Sequence, residues 1–161
     1  MAKVIKSGHG QIELNRCSFL RDGNIEAQCV AAAPIENGAI VIVDKQAKTV
    51  KNATAFTTGL LGVNYTTEKI YNQFTSGRKN FSVEKGACPR VGYLKTGDVF
   101  STNVMFTEGA DIPAADAIKR GLYWTKPTEL TATAPTTGLK LKVVEVTDTA
   151  DGQTALKIQV L

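Results

Sequence analysis

Apolar and polar positions alternate along most of the chain with a period of two, which predicts strands rather than helices. From Gln11 to Phe19, Ile12 and Leu14 fall on one side and Glu13 and Asn15 on the other. Ile25 to Val30 repeats the pattern with Ile25, Ala27 and Cys29 on one side. Between the two runs, Arg21-Asp22-Gly23-Asn24 supplies residues that tolerate positive φ, so a hairpin is expected. Ala39-Ile40-Val41-Ile42-Val43 does not alternate. It is a continuous, mostly β-branched run entered through the tight turn Glu36-Asn37-Gly38, and it reads as a core strand.

Asp44 to Lys48 then forms a polar turn, Thr49 to Lys51 a short return strand, and Ala53 to Thr58 an extended piece. The pattern weakens from Gly59 to Lys85, where Gly62 to Thr66 and Lys69 to Phe74 read as short strands and Thr75 to Asn80 as a polar loop. Arg90 to Leu94 and Val99 to Val104 flank Lys95-Thr96-Gly97-Asp98, which predicts a second hairpin. One segment carries helix signals: Asp111 as a cap, Pro113 in the first turn, Lys119 and Arg120 at the carboxyl end and Gly121 as terminator. Leu122 to Thr125 reads as a strand and Pro127 to Gly138, rich in Thr, Ala and Pro, as a loop. The chain closes on a hairpin of Leu139 to Thr147 and Thr154 to Leu161 around Asp148 to Gln153. The expected fold is mainly β, an antiparallel β-sandwich or β-barrel with one short helix near 112–120. A single domain over 11–161 is expected to follow a flexible arm over 1–10.

Composition agrees with a folded domain: 43% of residues are hydrophobic and 21% charged, far from the profile of disorder. Met1 to Ser7 carries Lys3 and Lys6 but no apolar run after them, and the longest apolar run, Ala39 to Val43, is strand-sized. The chain is therefore expected to be soluble, made in the cytoplasm and independent of membranes. Charge alters the picture more. The net charge is +4, yet residues 44–95 hold nine basic against three acidic side chains, while 1–43 balance and 96–161 are net acidic. Such asymmetry fits an acidic partner or a solvated basic face.

Candidate chemistry is sparse. Cys17, Cys29 and Cys88 lack CxxC spacing, and an odd count argues against a disulfide framework. With the single histidine, His9, they are the only residues from which a thiol nucleophile and base, or a zinc site, can be assembled, and the spacing favours neither. Buried thiols are the simpler reading. No nucleotide-binding glycine loop, nucleophile elbow or HExxH stands in the sequence, so no enzyme, cofactor or metal is expected. One constellation interleaves cations with aromatics: Phe56, Tyr65, Lys69, Tyr71, Phe74, Arg78, Lys79 and Phe81. A barrel that binds single-stranded nucleic acid stacks bases on such rings and tracks phosphates with such charges, whereas aromatics at strand spacing more often belong to a core.

Three passages resemble the head decoration, or capsid cement, proteins of tailed bacteriophages. They are Ala33-Pro34-Ile35-Glu36-Asn37-Gly38 running into Ala39 to Asp44, the stretch Gly92 to Phe100, and the closing hairpin from Lys142-Val143-Val144-Glu145-Val146 to Lys157-Ile158-Gln159-Val160-Leu161. Together they cover about half of the chain. The resemblance implies a β-rich virion protein without catalytic residues. Such a protein binds the major capsid protein on the outside of the phage head, often as a homo-oligomer, and holds neighbouring subunits against internal DNA pressure. Other virion roles, in a tail or head fibre, stand beside it, and single-strand nucleic-acid binding is the alternative from another class.

Overall fold

The computed structural model describes residues 6–66, 78–107 and 121–161. In chain order the elements are β1 (Ile12–Arg16), α1 (Ser18–Asp22), β2 (Ile25–Glu26), β3 (Val30–Ala31), β4 (Ile40–Asp44), β5 (Thr49–Asn52) and β6 (Leu60–Asn64). After a 3-10 turn at Arg78–Asn80 come β7 (Val91–Gly92), β8 (Val99–Thr102), β9 (Tyr123–Lys126), β10 (Glu129–Thr131), β11 (Leu141–Asp148) and β12 (Thr154–Val160). They form two six-stranded sheets, ordered β1-β8-β12-β11-β9-β10 and β2-β7-β6-β4-β5-β3. Every pairing is antiparallel except that of β3 with β5. The mainly β fold with a short helix agrees with the sequence expectation, although the helix described is α1; the expected helix near 112–120 lies outside the described residues.

The apolar run of β4 finds its explanation in two cores. Ile40 and Ile42 face the first sheet, among Phe56, Phe100, Trp124, Leu156 and Ile158. Val41 and Val43 face the opposite way, with Cys29, Ile35, Val50, Val83 and Val91. A strand covered on both faces has no solvated side to spend polar residues on. Ile35 and Val83, which complete the second core, exchange backbone hydrogen bonds of 2.9 and 2.8 Å.

Both expected hairpins before the last one are corrected. β1 pairs with β8 in the first sheet, whereas β2 pairs with β7 in the second. The chain between β1 and β2 turns through α1, so Ser18 and Phe19 are helical rather than the end of a strand. The carboxylate of Asp98 accepts from the Ser18 backbone N–H at 2.7 Å and from its hydroxyl at 3.1 Å, and Gly23 ends the helix in the left-handed region. Likewise β7 and β8 lie in different sheets, so Lys95-Thr96-Gly97-Asp98 is a crossing between layers. Asp98, 3% exposed, fixes that crossing as well by accepting from the Lys95 N–H at 2.8 Å. The stretch expected as a loop after Pro127 contains β10, which pairs with β9.

The closing hairpin forms as expected, with β11 against β12 and one extra residue, Val144, bulged between Val143 and Glu145. Residues 6–10 of the expected arm lie against the domain, and residues 1–5 are outside the described residues. The Ser7 N–H donates to the Gln153 side chain at 3.0 Å and the His9 N–H to the Lys79 carbonyl at 2.6 Å.

Candidate binding site

Glu36, in the turn before β4, gathers the start of the chain. Its Oε1 lies 3.0 Å from His9 Nδ1, and its Oε2 accepts from the Gly10 N–H at 3.1 Å. Lys6 Nζ stands 3.9 Å from the same oxygen and donates to the Phe106 carbonyl at 2.5 Å. The turn holding Glu36 is itself braced from below. Asn64, fully buried, donates from its side chain to the Glu36 carbonyl at 3.0 Å, and its own carbonyl accepts from the Gly38 N–H at 2.8 Å.

Beside this clasp opens a cleft of about 350 Å³. Ile40, Ala53, Phe56, Trp124 and Val104 supply its apolar surface, and His9, Glu36, Asn52 and Ser82 its polar margin. Phe56 reaches it because residues 53–58 bridge the sheets: its N–H donates to the Thr125 carbonyl at 3.3 Å and its carbonyl accepts from the Leu139 N–H at 2.9 Å. Trp124 meets the Phe56 ring edge-on at 5.0 Å and 82°, and its indole N–H donates to the Pro127 carbonyl at 3.3 Å. These contacts fix the orientation of both rings.

The four residues considered for thiol or metal chemistry are not assembled. His9 borders the cleft, but none of the cysteines lines it. Cys17 lies in a second, polar cleft with Arg16, Ser18, Arg21, Asp98 and Gln159, and its thiol donates to the Val99 carbonyl at 3.4 Å. Burial, with the Asp98 charge beside it, pushes that thiol up to about 12. Cys29 belongs to the second core, where burial and then Glu26 push it up too, and Cys88 is exposed. Among the described residues no three His, Cys, Asp or Glu side chains form a group able to hold a metal ion.

The aromatic and basic constellation is divided by the fold. Phe56 is 1% exposed, and Phe81 packs on the second core. Tyr65 packs at a tilt of 37° against Phe19, with ring centres 5.0 Å apart, and the Arg90 guanidinium lies 6.0 Å over its ring. These three rings therefore serve packing. Lys69, Tyr71 and Phe74 lie outside the described residues, Arg78 begins the 3-10 turn, and exposed Lys79 reaches Ser7 Oγ at 3.4 Å.

Other cations of the basic middle segment are neutralised or free according to place. Lys95 pairs with Asp22 at 3.0 Å, and Lys45 covers the Tyr93 ring at 5.6 Å. Exposed Lys48, Lys51 and Lys85 make no ion pair among the described residues. Lys48 and Lys51 lie at the entry to β5 and on it. Lys85 lies in the turn whose Gly86 N–H and Ala87 carbonyl pair with Ala31 of β3. All three thus occupy one margin of the second sheet, where Val30 of β3 is 38% exposed. Sequence counting found the charge excess but not this margin, because β3 and β5 are brought side by side by a parallel pairing that no turn signal marks.

No family model, curated protein or solved structure matches the chain. No helix among the described residues is long and apolar enough to cross a membrane.

Proposed function

We propose that this chain is a structural virion protein, a capsid decoration protein that binds the major capsid protein on the outside of a phage head and acts by adhesion rather than catalysis. The observation that carries the reading is the row of unpaired cations Lys48, Lys51 and Lys85 along one margin of the second sheet. Holding three lysines against a protein surface calls for acidic groups opposite them, and a shell that carried such groups at regular positions would meet this margin in fixed register. The resemblance of Ala33 to Asp44, Gly92 to Phe100 and the closing hairpin to decoration proteins supports the same reading. Exposed Val30 beside the lysines gives the margin an apolar anchor for assembly as a homo-oligomer on the shell.

Co-sedimentation tests the proposal, with purified protein mixed with DNA-filled expanded heads, empty precursor shells or single-stranded DNA. Saturable binding to expanded heads at a fixed ratio to coat protein, weakened by salt and by the triple change Lys48→Glu, Lys51→Glu, Lys85→Glu, is the expected result. Retention on single-stranded DNA without binding to heads overturns it in favour of nucleic-acid binding.

A further inference from the structure

The two sheets end in β1 and β10 and in β2 and β3. β2 and β10 are two and three residues long, and the outer side of β3 is taken by the Gly86 N–H and the Ala87 carbonyl, which bond Ala31. β1, five residues long, bonds only β8 among the described residues. Which of its backbone groups stay open follows from the alternation of an antiparallel ladder. The Val160 N–H donates to the Asp98 carbonyl at 2.9 Å, and the continuous register of β8 on β12 carries that pattern to Phe100 and Thr102. Ser101, between them, therefore turns its backbone groups to Glu13 of β1. Gln11, two residues earlier, agrees by donating its N–H inward to the Asn103 side chain at 2.7 Å. The N–H and carbonyl groups of Ile12 and Leu14 consequently point outward.

The side chains decide what can pair with them. Ile12 and Leu14 pack on the first core, so Glu13 stands on the other face of the sheet; its Oε1 accepts from the Ala150 N–H at 2.6 Å, and its Oε2 has no partner among the described residues. A second copy of β1 meets all four open groups only with Ile12 opposite Leu14 and Glu13 opposite Glu13, in the class of pair whose side chains approach most closely. Two carboxylates then face each other, which closes the edge to the chain's own copies. We infer that the outer edge of β1 is a docking surface for an extended strand of another protein, one in which a lysine or arginine stands between two apolar residues. Its backbone bonds Ile12 and Leu14, its apolar side chains extend the rim of the first core, and its cation meets Glu13 Oε2. The register slip of β1 on β8 after Leu14 confines the pairing to Ile12, Glu13 and Leu14. The inference does not depend on the decoration proposal, since it concerns a different surface and a partner group of the opposite charge.

Glu13→Lys supplies the probe, because β1 of that variant carries a cation between Ile12 and Leu14. Wild-type protein labelled at exposed Cys88 is sedimented with rising amounts of unlabelled wild type, Glu13→Lys or Glu84→Lys, the last changing the net charge equally at an exposed position outside β1. Wild type is expected to associate with Glu13→Lys about ten-fold more tightly than with itself, the worth of exchanging a like for an opposite charge across a strand pair. Glu84→Lys is expected to give no such gain. Leu14→Pro in the labelled chain removes an outward N–H and no bond to β8, so it should abolish the mixed pairing in a protein that still melts cooperatively, and Ile12→Pro repeats the test at the other open N–H. No association of the mixed pair at about 1 mM, no gain over wild type, equal gains from Glu13→Lys and Glu84→Lys, or undiminished pairing by a folded proline variant overturns the inference.

Discussion

The ring of Phe19 lies flat against Gly92, so close that a Cβ at Gly92 stands 2.5 Å from its Cζ. Phe19 comes from α1 and Gly92 from β7, and Phe19 is fully buried. The absence of a side chain on one element therefore makes room for the ring of the other. Gly92→Ala is expected to cost about 1–3 kcal/mol by overpacking. The cost should shrink when Phe19→Leu is made with it, so urea midpoints of the two single variants and the double variant will not add.

Asp98 holds α1 and the crossing from β7 to β8 with one carboxylate. Asp98→Ala leaves the Ser18 and Lys95 N–H groups without that acceptor and is expected to destabilise by about 2–4 kcal/mol, with Asp98→Asn losing less. The isosteric variant also removes a charge that raises the Cys17 thiol. Alkylation of the native protein should label exposed Cys88 first and Cys17 slowly, and Asp98→Asn should speed Cys17 alone.

Alkali should unfold this protein early. Burial pushes both the Cys17 thiol and the Tyr93 phenol up to about 12, and it raises Cys29 and Tyr65 as well. In each case the folded state holds the proton more tightly than the unfolded chain does. The stability these groups contribute is fully present below their unfolded values, about 8.5 for a thiol and about 10 for a phenol, and is lost as pH rises through the window that ends near the folded ones. Denaturation midpoints are expected to fall steadily above about pH 9. Asp22 has the opposite sign: hydrogen bonds from Arg21 and then Lys95 hold it down to about 2, so its contribution is lost as pH drops below the ordinary carboxylate range. As an exposed pairing it matters little.

Glu36→Ala removes the acceptor shared by His9 and Gly10 and the carboxylate facing Lys6. Residues 6–10 are then held by the Lys6 contact to Phe106, the Ser7 contact to Gln153 and the His9 contact to Lys79. Limited proteolysis should cut between Lys6 and Gly10 faster in the variant, while the midpoint of global unfolding falls by only about 1 kcal/mol equivalent. Gln153→Ala, which also breaks the buried link to Asn103 at 3.2 Å, should add to the effect.

How much of this was legible differed between features for physical reasons. β4 and the closing hairpin stood out because an unbroken apolar run marks burial on both faces and because a local turn joins β11 to β12. The pairing of β1 and of β7 did not, since alternation reports which side is buried and not which strand lies alongside. α1 has five residues, too few to show a helical period, and its start depends on Asp98, 80 positions away. The cleft was illegible for the same reason: His9, Glu36, Asn52, Phe56 and Trp124 come from separate segments. The single histidine and the Glu36-Asn37-Gly38 turn were the available signals, and neither named the other.

β4 gives alternate side chains to two separate oily interiors, and so it is a party wall. Neither room can be emptied while the wall stands, and the wall cannot fall without emptying both. Damage in one interior is therefore felt in the other. The two should melt in a single step, and the amides of Ile40–Asp44 should be among the last to exchange their hydrogens with water.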